Sequence, residues 1–452
     1  MSKTMKNSFI ANIPPKIKVY KSRWYILLLY ILYTTIGQFQ WVEYTIIANI
    51  VMRYYNVGPS TVDWTALVFM VVYPIFIIPA LLIIDKLGLR VASIIGCLGT
   101  AIGVYIKLFS VGHNLFYLVI IGQVFVGIAQ LIILPLPPKL AVTWFAEKEV
   151  STACSLGVFG LQLGAALGFI LPSTLVKNHD DLEMVGENLK TMCWVLAIAI
   201  TPILIALIFY FPPNPKCPPN NIQNDDKFSL SNFFGSLQYL FTNGAFVMHL
   251  AASSISIGTY TVMGSLLNLF VLQYFENAQE DAGRMGLVMI ISGAIGTPII
   301  GKFLDKTRKF KESCFISMIF QIIGMILLIC ALEYKNKILV YASFAILGLF
   351  LNTYLPACIE FATELTYPTA ESTTTGIVYA MSQTLGFGAT IAISLFSIEY
   401  GAFWALIIIT AFLALGSILT LVTPNTLKRQ ACFNNKNLTE FKSIPQQDVE
   451  HS

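Results

Sequence analysis

Apolar residues fill most of the chain in runs of roughly twenty, and short polar segments separate these runs. A run of that length crosses the hydrocarbon core of a bilayer as one α-helix. Twelve runs occur, six in each half of the 452-residue sequence. They lie near 24–50, 62–84, 91–111, 115–136, 152–176, 192–211, 245–274, 283–301, 313–331, 338–359, 373–396 and 401–422. The pattern predicts an all-α membrane protein with twelve transmembrane helices in two six-helix halves, residues 24–211 and 243–422.

Three polar segments frame the two predicted halves. Residues 1–23 form a basic N-terminal tail, residues 212–242 a Pro-rich linker and residues 423–452 a C-terminal tail. The first apolar run is longer than the core of a signal peptide, and no small-residue cleavage site follows it. We therefore expect a retained signal-anchor helix.

The composition agrees with a bilayer as the solvent. Hydrophobic residues make up 56% of the chain and charged residues 12%, about half the charged share of soluble domains. This excludes an ordinary soluble enzyme, a disordered chain and a nucleic-acid-binding protein, which needs a dense basic surface. The eight cysteines form no C-x-x-C pair and are expected as core residues. No phosphate-binding loop, nucleophilic triad, dinucleotide motif or metal-ligand spacing occurs, so we predict no enzyme activity, cofactor or metal site.

Basic residues indicate how the helices are oriented. Of the 28 Lys and Arg residues, 21 fall in segments on the side of both termini and seven fall on the opposite side. Because basic loops tend to stay in the cytosol, both termini are predicted to be cytosolic. We expect a monomer in the lipid bilayer of the plasma membrane, without a nucleic-acid partner.

A short charged motif recurs at the same position in each half. An Asp-Lys pair begins at Asp85, with Arg90 after it, and again 220 positions later at Asp305, with Arg308 after it. Both copies resemble, incompletely, the loop signature of the major facilitator superfamily, G-x-x-x-D-[RK]-x-G-x-[RK]. Such a carboxylate can lock one half against the other, so these four residues are gating candidates; a loop that only orients the protein is the alternative. A parallel repeat of two halves implies a central site near the midplane and alternating access by rocking.

Polar residues inside the predicted helices are functional candidates because they are costly there. Predicted helix 1 contains Gln40, Trp41 and Glu43. Trp41 either faces a binding site or packs at the membrane interface. Glu43 is either a proton or cation site or a carboxylate in water near the outer mouth. Predicted helix 5 carries a stripe of glycines for close helix contact and one long polar side chain, Gln162, which needs a helix partner or a ligand.

Predicted helices 7, 10 and 11 also contain polar side chains that need either a helix partner or a ligand. Gln383 and Asn352 are amides in helices 11 and 10. Helix 7 carries several hydroxyl side chains around Tyr260, and we expect a break in this helix at Gly258.

Charged and titratable side chains also stand at the ends of two predicted helices. Glu360 and Glu364 end helix 10 on the cytosolic side, where gating or inter-loop contacts are the favoured roles. His249 begins helix 7, and a structural role is favoured over a haem or metal ligand.

Several strings of residues between about 20 and 425 resemble the feline leukaemia virus subgroup C receptor-related family. The first is the helix 1 segment Phe39-Gln40-Trp41-Val42-Glu43-Tyr44, which matches F-Q-W-x-x-Y. The others are Asp63-Trp64, Lys86-Leu87-Gly88-Leu89-Arg90, Trp144-Phe145, Glu149-Val150-Ser151-Thr152-Ala153-Cys154-Ser155, Val158-Phe159-Gly160, Gln162-Leu163-Gly164, Ala282-Gly283-Arg284-Met285-Gly286-Leu287, Tyr354-Leu355-Pro356 and Glu364-Leu365-Thr366-Tyr367-Pro368. Together these strings identify the resemblance.

The resemblance implies a twelve-helix facilitator of choline and ethanolamine, and haem transport has also been proposed for this family. Family members hold the quaternary ammonium against aromatic rings by cation–π interactions. The choline-facing Trp of the family falls on Trp41, and its two site glutamines fall on Gln162 and Gln383. The helix 7 Tyr of the family aligns on Thr261, with Tyr260 one place away.

The chain also departs from the family at two positions, with Leu161 in place of an Asn and Glu43 in place of a Gln. If Tyr260 does not face the cavity, the aromatic cage is incomplete and another cation or amine becomes the better candidate. The sequence favours uniport of choline-like cations, driven by the substrate gradient and the membrane potential. A haem transporter, a non-transporting receptor and a proton-coupled amine antiporter that uses Glu43 remain open as alternatives.

Overall fold

The computed structural model describes residues 20–177, 179, 181–215, 230–275 and 279–432. Most of the predicted N-terminal tail, residues 216–229 of the predicted linker and residues 433–452 lie outside the described residues. Within the described ranges the chain forms fourteen α-helices and one 3₁₀ turn, Glu147–Glu149. The α-helices are α1 (Ser22–Val42), α2 (Ala48–Tyr55), α3 (Pro59–Leu108), α4 (Phe116–Ile133), α5 (Leu136–Trp144), α6 (Val150–Leu175), α7 (Leu182–Tyr210), α8 (Leu230–Thr242), α9 (Gly244–Leu272), α10 (Gln279–Thr307), α11 (Phe310–Glu333), α12 (Lys337–Thr366), α13 (Glu371–Tyr400) and α14 (Ala402–Val422).

The longest helix, α3, makes two membrane crossings. Its 50 residues would extend roughly 75 Å at 1.5 Å per residue, more than twice the thickness of the hydrocarbon core. The backbone leaves the helical conformation at Gly88, where a φ of 77° favours a residue without a Cβ atom. Eleven helices of the described residues are long and apolar enough to cross a membrane, and the break in α3 makes these twelve crossings. The predicted all-α membrane fold is confirmed.

Contacts with α4 and α5 show that α3 reverses at Gly88. The second limb of α3 is antiparallel to α4, because Gly96 lies against Ile133 and Gly103 against Val126. The first limb ends beside α5, where the Asp85 carboxylate pairs with Lys139. Phe69 of the first limb also contacts α4, at Gly127, next to the residue that contacts Gly103, so the two limbs lie side by side.

Three helix ends differ from the predicted runs. α1 ends at Val42 rather than near 50, and a turn leads from it into the short α2. α8 occupies the last part of the predicted linker. The break predicted at Gly258 is wrong, because α9 is continuous there. Gly258 instead allows close contact with α13, where the Gly386 nitrogen lies 3.6 Å from the position that a Cβ atom at Gly258 would occupy.

Both described ends of the chain lie on one face of the bundle, which we term the terminal face. Arg23, at the start of α1, pairs with Glu149, just before α6, at 2.9 Å. Arg429, beyond the end of α14, pairs with Glu360 at 2.6 Å and with Glu364 at 2.9 Å. We term the opposite side of the bundle the distal face.

The buried core shows where the two halves join. One continuous cluster combines apolar side chains of α1, α3 and α6 with those of α12 and α13. Two further clusters lie toward the distal face, and each is confined to a single half. The halves therefore share a core near the terminal face and have separate cores near the distal face.

The glycine stripe predicted in helix 5 brings α6 against α1. A Cβ atom at Gly164 would overlap the carbonyl oxygen of Thr35, and one at Gly168 would overlap Val42. Glycine is required at these crossings because the two backbones approach each other directly. The stripe fixes the relative height of the residues on the two helices.

Candidate functional site

Asp85 connects the first half of the molecule to the second. Its carboxylate accepts hydrogen bonds from the hydroxyl groups of Ser372 (2.7 Å) and Thr373 (2.6 Å) at the start of α13. Lys139 of α5 pairs with the same carboxylate at 3.2 Å. Sequence analysis did not identify the two hydroxyl partners, because nothing in the local pattern links positions so far apart in the chain.

Asp305 makes the equivalent connection in the opposite direction. Its two carboxylate oxygens accept hydrogen bonds from the backbone N–H groups of Ser151 (2.8 Å) and Thr152 (2.7 Å). These groups begin α6, where free N–H donors and the helix dipole favour a negative charge. Arg308 donates to the carbonyl oxygen of Glu147 at 2.8 Å and pairs with its carboxylate at 3.7 Å. Two contacts thus hold the halves together. In each, an Asp carboxylate of one half binds the first residues of a helix in the other half.

Arg90 differs from the other three gating candidates. Its guanidinium donates to the carbonyl oxygen of Ile208 at the end of α7, at 2.9 Å. Both residues belong to the first half, so this hydrogen bond stabilises one half rather than the contact between the halves.

Buried aromatic residues fill the space between the halves above these contacts. Tyr73 of α3 and Tyr379 of α13 face each other with ring centroids 6.2 Å apart. Tyr30 and Tyr33 of α1 pack edge to face at 5.2 Å, and all four rings are buried. We term these four residues the tyrosine plug. Within it, the contact between Tyr73 and Tyr379 joins the first half to the second.

Gln383 lies one helical turn beyond the tyrosine plug on α13. It follows Tyr379 by four residues, so both side chains project from the same side of α13. Gln383 is half-buried and makes no hydrogen bond to another described residue. Its amide is therefore available to a ligand that reaches the distal side of the plug.

Tyr260 lies close to Gln383 in height. Gly386, three residues from Gln383, contacts Thr261 of α9, with side-chain atoms 3.3 Å from the position of a Cβ atom. Thr261 is therefore directed at α13, and Tyr260 is turned away from that contact. Ile257, one turn before Tyr260 on the same side of α9, packs against the core shared by the two halves. The half-buried Tyr260 ring itself packs against the core that is confined to the second half.

Trp41 is the second-last residue of α1 and is half-buried. Gln38, one turn earlier on the same side of the helix, is also half-buried and was missed by sequence analysis. Its i, i+3 spacing from Trp41 was the available signal. Gln40 lies on another side of α1, where it is buried and its carbonyl oxygen accepts a hydrogen bond from Gln123 of α4 at 2.8 Å.

Gln162 lies nearer the terminal face than Trp41 does. Gly160 of α6 contacts Ile31, and Gly164 contacts Thr35, so Gln162 is level with position 33 of α1. That position is eight residues before Trp41, a separation of roughly 12 Å at 1.5 Å per residue. The Gln162 side chain is 4% exposed and has no hydrogen-bond partner among the described residues.

The four predicted binding residues thus fall into two groups. Trp41, Tyr260 and Gln383 are half-buried side chains from three helices of both halves. Gln162 is more deeply buried and is level with Tyr33 of the tyrosine plug. None of the four is hydrogen-bonded to another within the described part of the chain. Two ring faces and two amides can hold an organic cation that carries a hydroxyl group without a full countercharge.

Glu43 is buried, so the predicted alternative of a carboxylate in water near the outer mouth is wrong. The side chains of Glu43 and Lys107 are 0% and 1% exposed and form an ion pair. Lys107 is one of the seven basic residues counted on the side opposite the termini, and its pairing with Glu43 was not predicted because the two residues stand 64 positions apart. A lysine just inside the end of an apolar run was the available signal.

Three other polar candidates have structural partners. His249 is buried, and its Nε2 lies 2.9 Å from the carbonyl oxygen of Cys358. Asn352 donates to the carbonyl oxygen of Gly348 at 2.8 Å. Glu360 and its neighbour Glu364 bind Arg429, a partner that sequence analysis did not identify.

Comparisons with known proteins agree with this architecture. The Major Facilitator Superfamily model matches residues 26–391. The chain is 34% identical over 416 residues to the choline/ethanolamine transporter flvcr2a of Danio rerio, covering 91% of this chain and 88% of that protein. It is 35% identical over 430 residues to the choline/ethanolamine transporter FLVCR2 of Rattus norvegicus, covering 94% of this chain and 78% of that protein.

A solved structure shares the fold. The transporter FucP in the outward conformation superposes with a TM-score of 0.68 at 14% sequence identity, covering 88% of this chain and 99% of that one. Together with the inter-half contacts of Asp85 and Asp305, these matches confirm the resemblance read from the sequence. The chain is a membrane transporter rather than an enzyme, and it belongs to the feline leukaemia virus subgroup C receptor-related family of the major facilitator superfamily.

Proposed function

We propose that the protein is a uniporter of choline- and ethanolamine-like organic cations that works by alternating access. The observation that carries this proposal is the set of half-buried side chains Trp41, Tyr260 and Gln383, which both halves contribute on the distal side of the tyrosine plug. The names of the relatives, choline/ethanolamine transporters, support the same substrate class.

The chemistry of these side chains suits the substrates. Choline and ethanolamine each carry a cationic nitrogen at one end and a hydroxyl group at the other. The rings of Trp41 and Tyr260 offer negative faces to the nitrogen, and cation–π attraction strengthens when water is excluded. The amides of Gln383 and Gln162 offer both donors and acceptors to the hydroxyl group. The roughly 12 Å of helix between the levels of Trp41 and Gln162 exceeds the length of choline, so Gln383 would bind the hydroxyl group beside the rings, and Gln162 would bind it after the substrate moves toward the terminal face.

Contacts on the terminal face support alternating access. Asp85 and Asp305 each hold a helix of the opposite half, and both contacts must break before a path opens on that side. The separate distal cores support a path from the distal face in the conformation described above. The same rocking motion would close the distal side around the substrate.

The basic residues of the chain support cytosolic termini, so the terminal face would be cytosolic and the distal face external. We further propose a monomer in the plasma membrane. Tags at both termini that bind antibody only after cells are permeabilised would agree with this orientation. Labelling of either tag on intact cells would contradict it.

Uniport is favoured over proton coupling by the state of Glu43. This carboxylate is already neutralised by Lys107, so it needs no bound proton or ion to remain in the membrane. Haem transport would need a histidine or a cluster of cations facing the pathway. His249, the histidine of the membrane helices, is instead buried against Cys358 and Phe361.

Uptake of labelled choline and ethanolamine by cells that express the chain tests the proposal. We expect saturable uptake by the wild type and loss of most of it in Trp41→Ala. Trp194→Ala is the matched control, because Trp194 is 49% exposed on α7 and should tolerate truncation. Wild-type uptake no higher than in cells without the protein would contradict the substrate class. Undiminished uptake by Trp41→Ala would contradict the site.

A further inference from the structure

The distal end of α1 is attached to the rest of the first half at its back. Glu43 follows the last residue of α1 and pairs with Lys107, near the end of the second limb of α3. One turn earlier, the carbonyl oxygen of Gln40 accepts a hydrogen bond from Gln123 of α4. Beyond Glu43 the chain turns and begins α2 at Ala48, so α1 has no further helical turn to hold its end.

Trp41 and Glu43 point in nearly opposite directions. Successive residues of an α-helix are turned by about 100°, so residues two apart differ by about 200°. The Glu43 side chain is directed into the first half, and the half-buried Trp41 side chain is directed away from it. The rotation of α1 about its own axis at this end therefore determines where the indole ring faces.

Lys107 is itself held in one conformation. A Cβ atom at Gly122 of α4 would lie 2.6 Å from the Lys107 Cγ atom, so the lysine stem runs directly along the α4 backbone. Its Nζ atom lies 5.6 Å from the centre of the Tyr44 ring, within the range of a cation–π contact. A fixed lysine gives the Glu43 carboxylate one place to bind.

We propose that the Glu43–Lys107 ion pair is a positioning device that sets the rotation of the end of α1 and so directs the Trp41 ring toward the substrate. The inference rests on the proposed function, since it assigns Trp41 to the cation site. Glu43 and Lys107 are positioning residues, and neither touches the substrate. The role of Glu43 is then to hold the helix rather than to carry a coupled proton.

Exchange of the two charges separates positioning from coupling. The variant Glu43→Lys/Lys107→Glu keeps a pair of opposite charges at the same place but moves the carboxylate from α1 to α3. If the pair only positions α1, the exchanged variant should have a KM for choline within about threefold of wild type. Lys107→Met and Glu43→Gln, each of which leaves the partner unpaired, should raise KM about tenfold or more with a smaller change in maximal rate.

A double-mutant cycle shows whether the pair acts through the indole ring. In a Trp41→Leu background that retains measurable uptake at high substrate, Lys107→Met should change KM less than about twofold, because the ring it positions is gone. Ethanolamine adds a second readout. Its primary ammonium relies less on the ring face, so Lys107→Met should raise the KM for ethanolamine less than the KM for choline. A general loss of structure would affect both substrates equally.

The outcomes distinguish this inference from the proposed function. If the wild type transports choline and Trp41→Ala does not, but both single charge variants keep the wild-type KM, the positioning role is overturned and the proposed function stands. If wild-type uptake depends on a pH gradient, and the exchanged variant folds but does not transport, Glu43 is a coupling residue and the inference is wrong. If the wild type takes up neither substrate, the proposed function fails first. Comparison of detergent-solubilised thermal stability identifies any variant that fails only because it does not fold.

Discussion

Replacement of Asp85 by Asn should shift the protein toward a state that is open on the terminal face. The carboxylate holds Ser372, Thr373 and Lys139, and its side chain is only 12% exposed. An amide keeps one acceptor oxygen, so at least one hydrogen bond to a charged group is lost. Such a bond contributes about 1.5–3 kcal/mol, and a loss of about 2 kcal/mol changes the ratio of closed to open molecules about thirtyfold.

Cys154 is a natural reporter of this change. It is buried on α6 beside Glu360 of the other half, at the contact that has to open. A membrane-permeant maleimide followed by peptide mass spectrometry measures how fast this thiol is modified. When the terminal face opens rapidly and rarely, the rate of Cys154 modification is proportional to the population of the open state. Asp85→Asn should therefore raise this rate about thirtyfold. Asp63→Asn is the matched control, because Asp63 is an exposed carboxylate at the distal end of the same helix.

Equal labelling of Cys154 in the wild type and in Asp85→Asn would exclude a role of Asp85 in closing the terminal face. It would mean that the contact to α13 does not favour the closed terminal face. A rise in the Asp63→Asn control would point instead to a general loosening of α3.

Three further substitutions test other parts of the account. Gln162→Leu should raise the KM for choline and leave thermal stability nearly unchanged, because the Gln162 amide has no hydrogen-bond partner among the described residues. A lower stability and an unchanged KM would indicate a packing role. Arg429→Met should lower thermal stability and speed the labelling of Cys154, because it leaves two buried carboxylates of α12 without their cation. Unchanged stability and labelling would exclude a role of Arg429 in closing the terminal face. Gly164→Ala should reduce folded yield and stability several-fold more than the control Gly388→Ala does. Only the substitution at Gly164 places a methyl group against a neighbouring backbone. Equal effects of the two substitutions would contradict the close crossing of α1 and α6.

The sequence was sufficient for those features that depend on local pattern. The lengths of the apolar runs predicted twelve crossings, and the repeated Asp-Lys pairs predicted equivalent positions for Asp85 and Asp305. The glycine stripe predicted a close crossing, although not that α1 would be the partner. Each of these signals lies within one segment of the chain.

Features that depend on tertiary contacts were not predictable in this way. The first apolar run is predicted as one helix to about residue 50, but α1 ends at Val42, where Glu43 pairs with Lys107. Gly258 was read as a helix break, whereas in the fold it provides room for α13. Arg429 binds carboxylates that lie 65 and 69 positions earlier. A single sequence does not reveal which distant segments will meet, so these partners appear only in the structure.

Choline flux into liposomes that contain only the purified chain shows whether this protein by itself transports choline-like cations. We predict saturable uptake that ethanolamine inhibits, that a negative-inside potential accelerates, that requires no pH gradient and that Trp41→Ala largely abolishes. Flux equal to that of empty liposomes, or flux that depends on a pH gradient and is unaffected by Trp41→Ala, would contradict the claim of a choline-like uniporter with its site on α1.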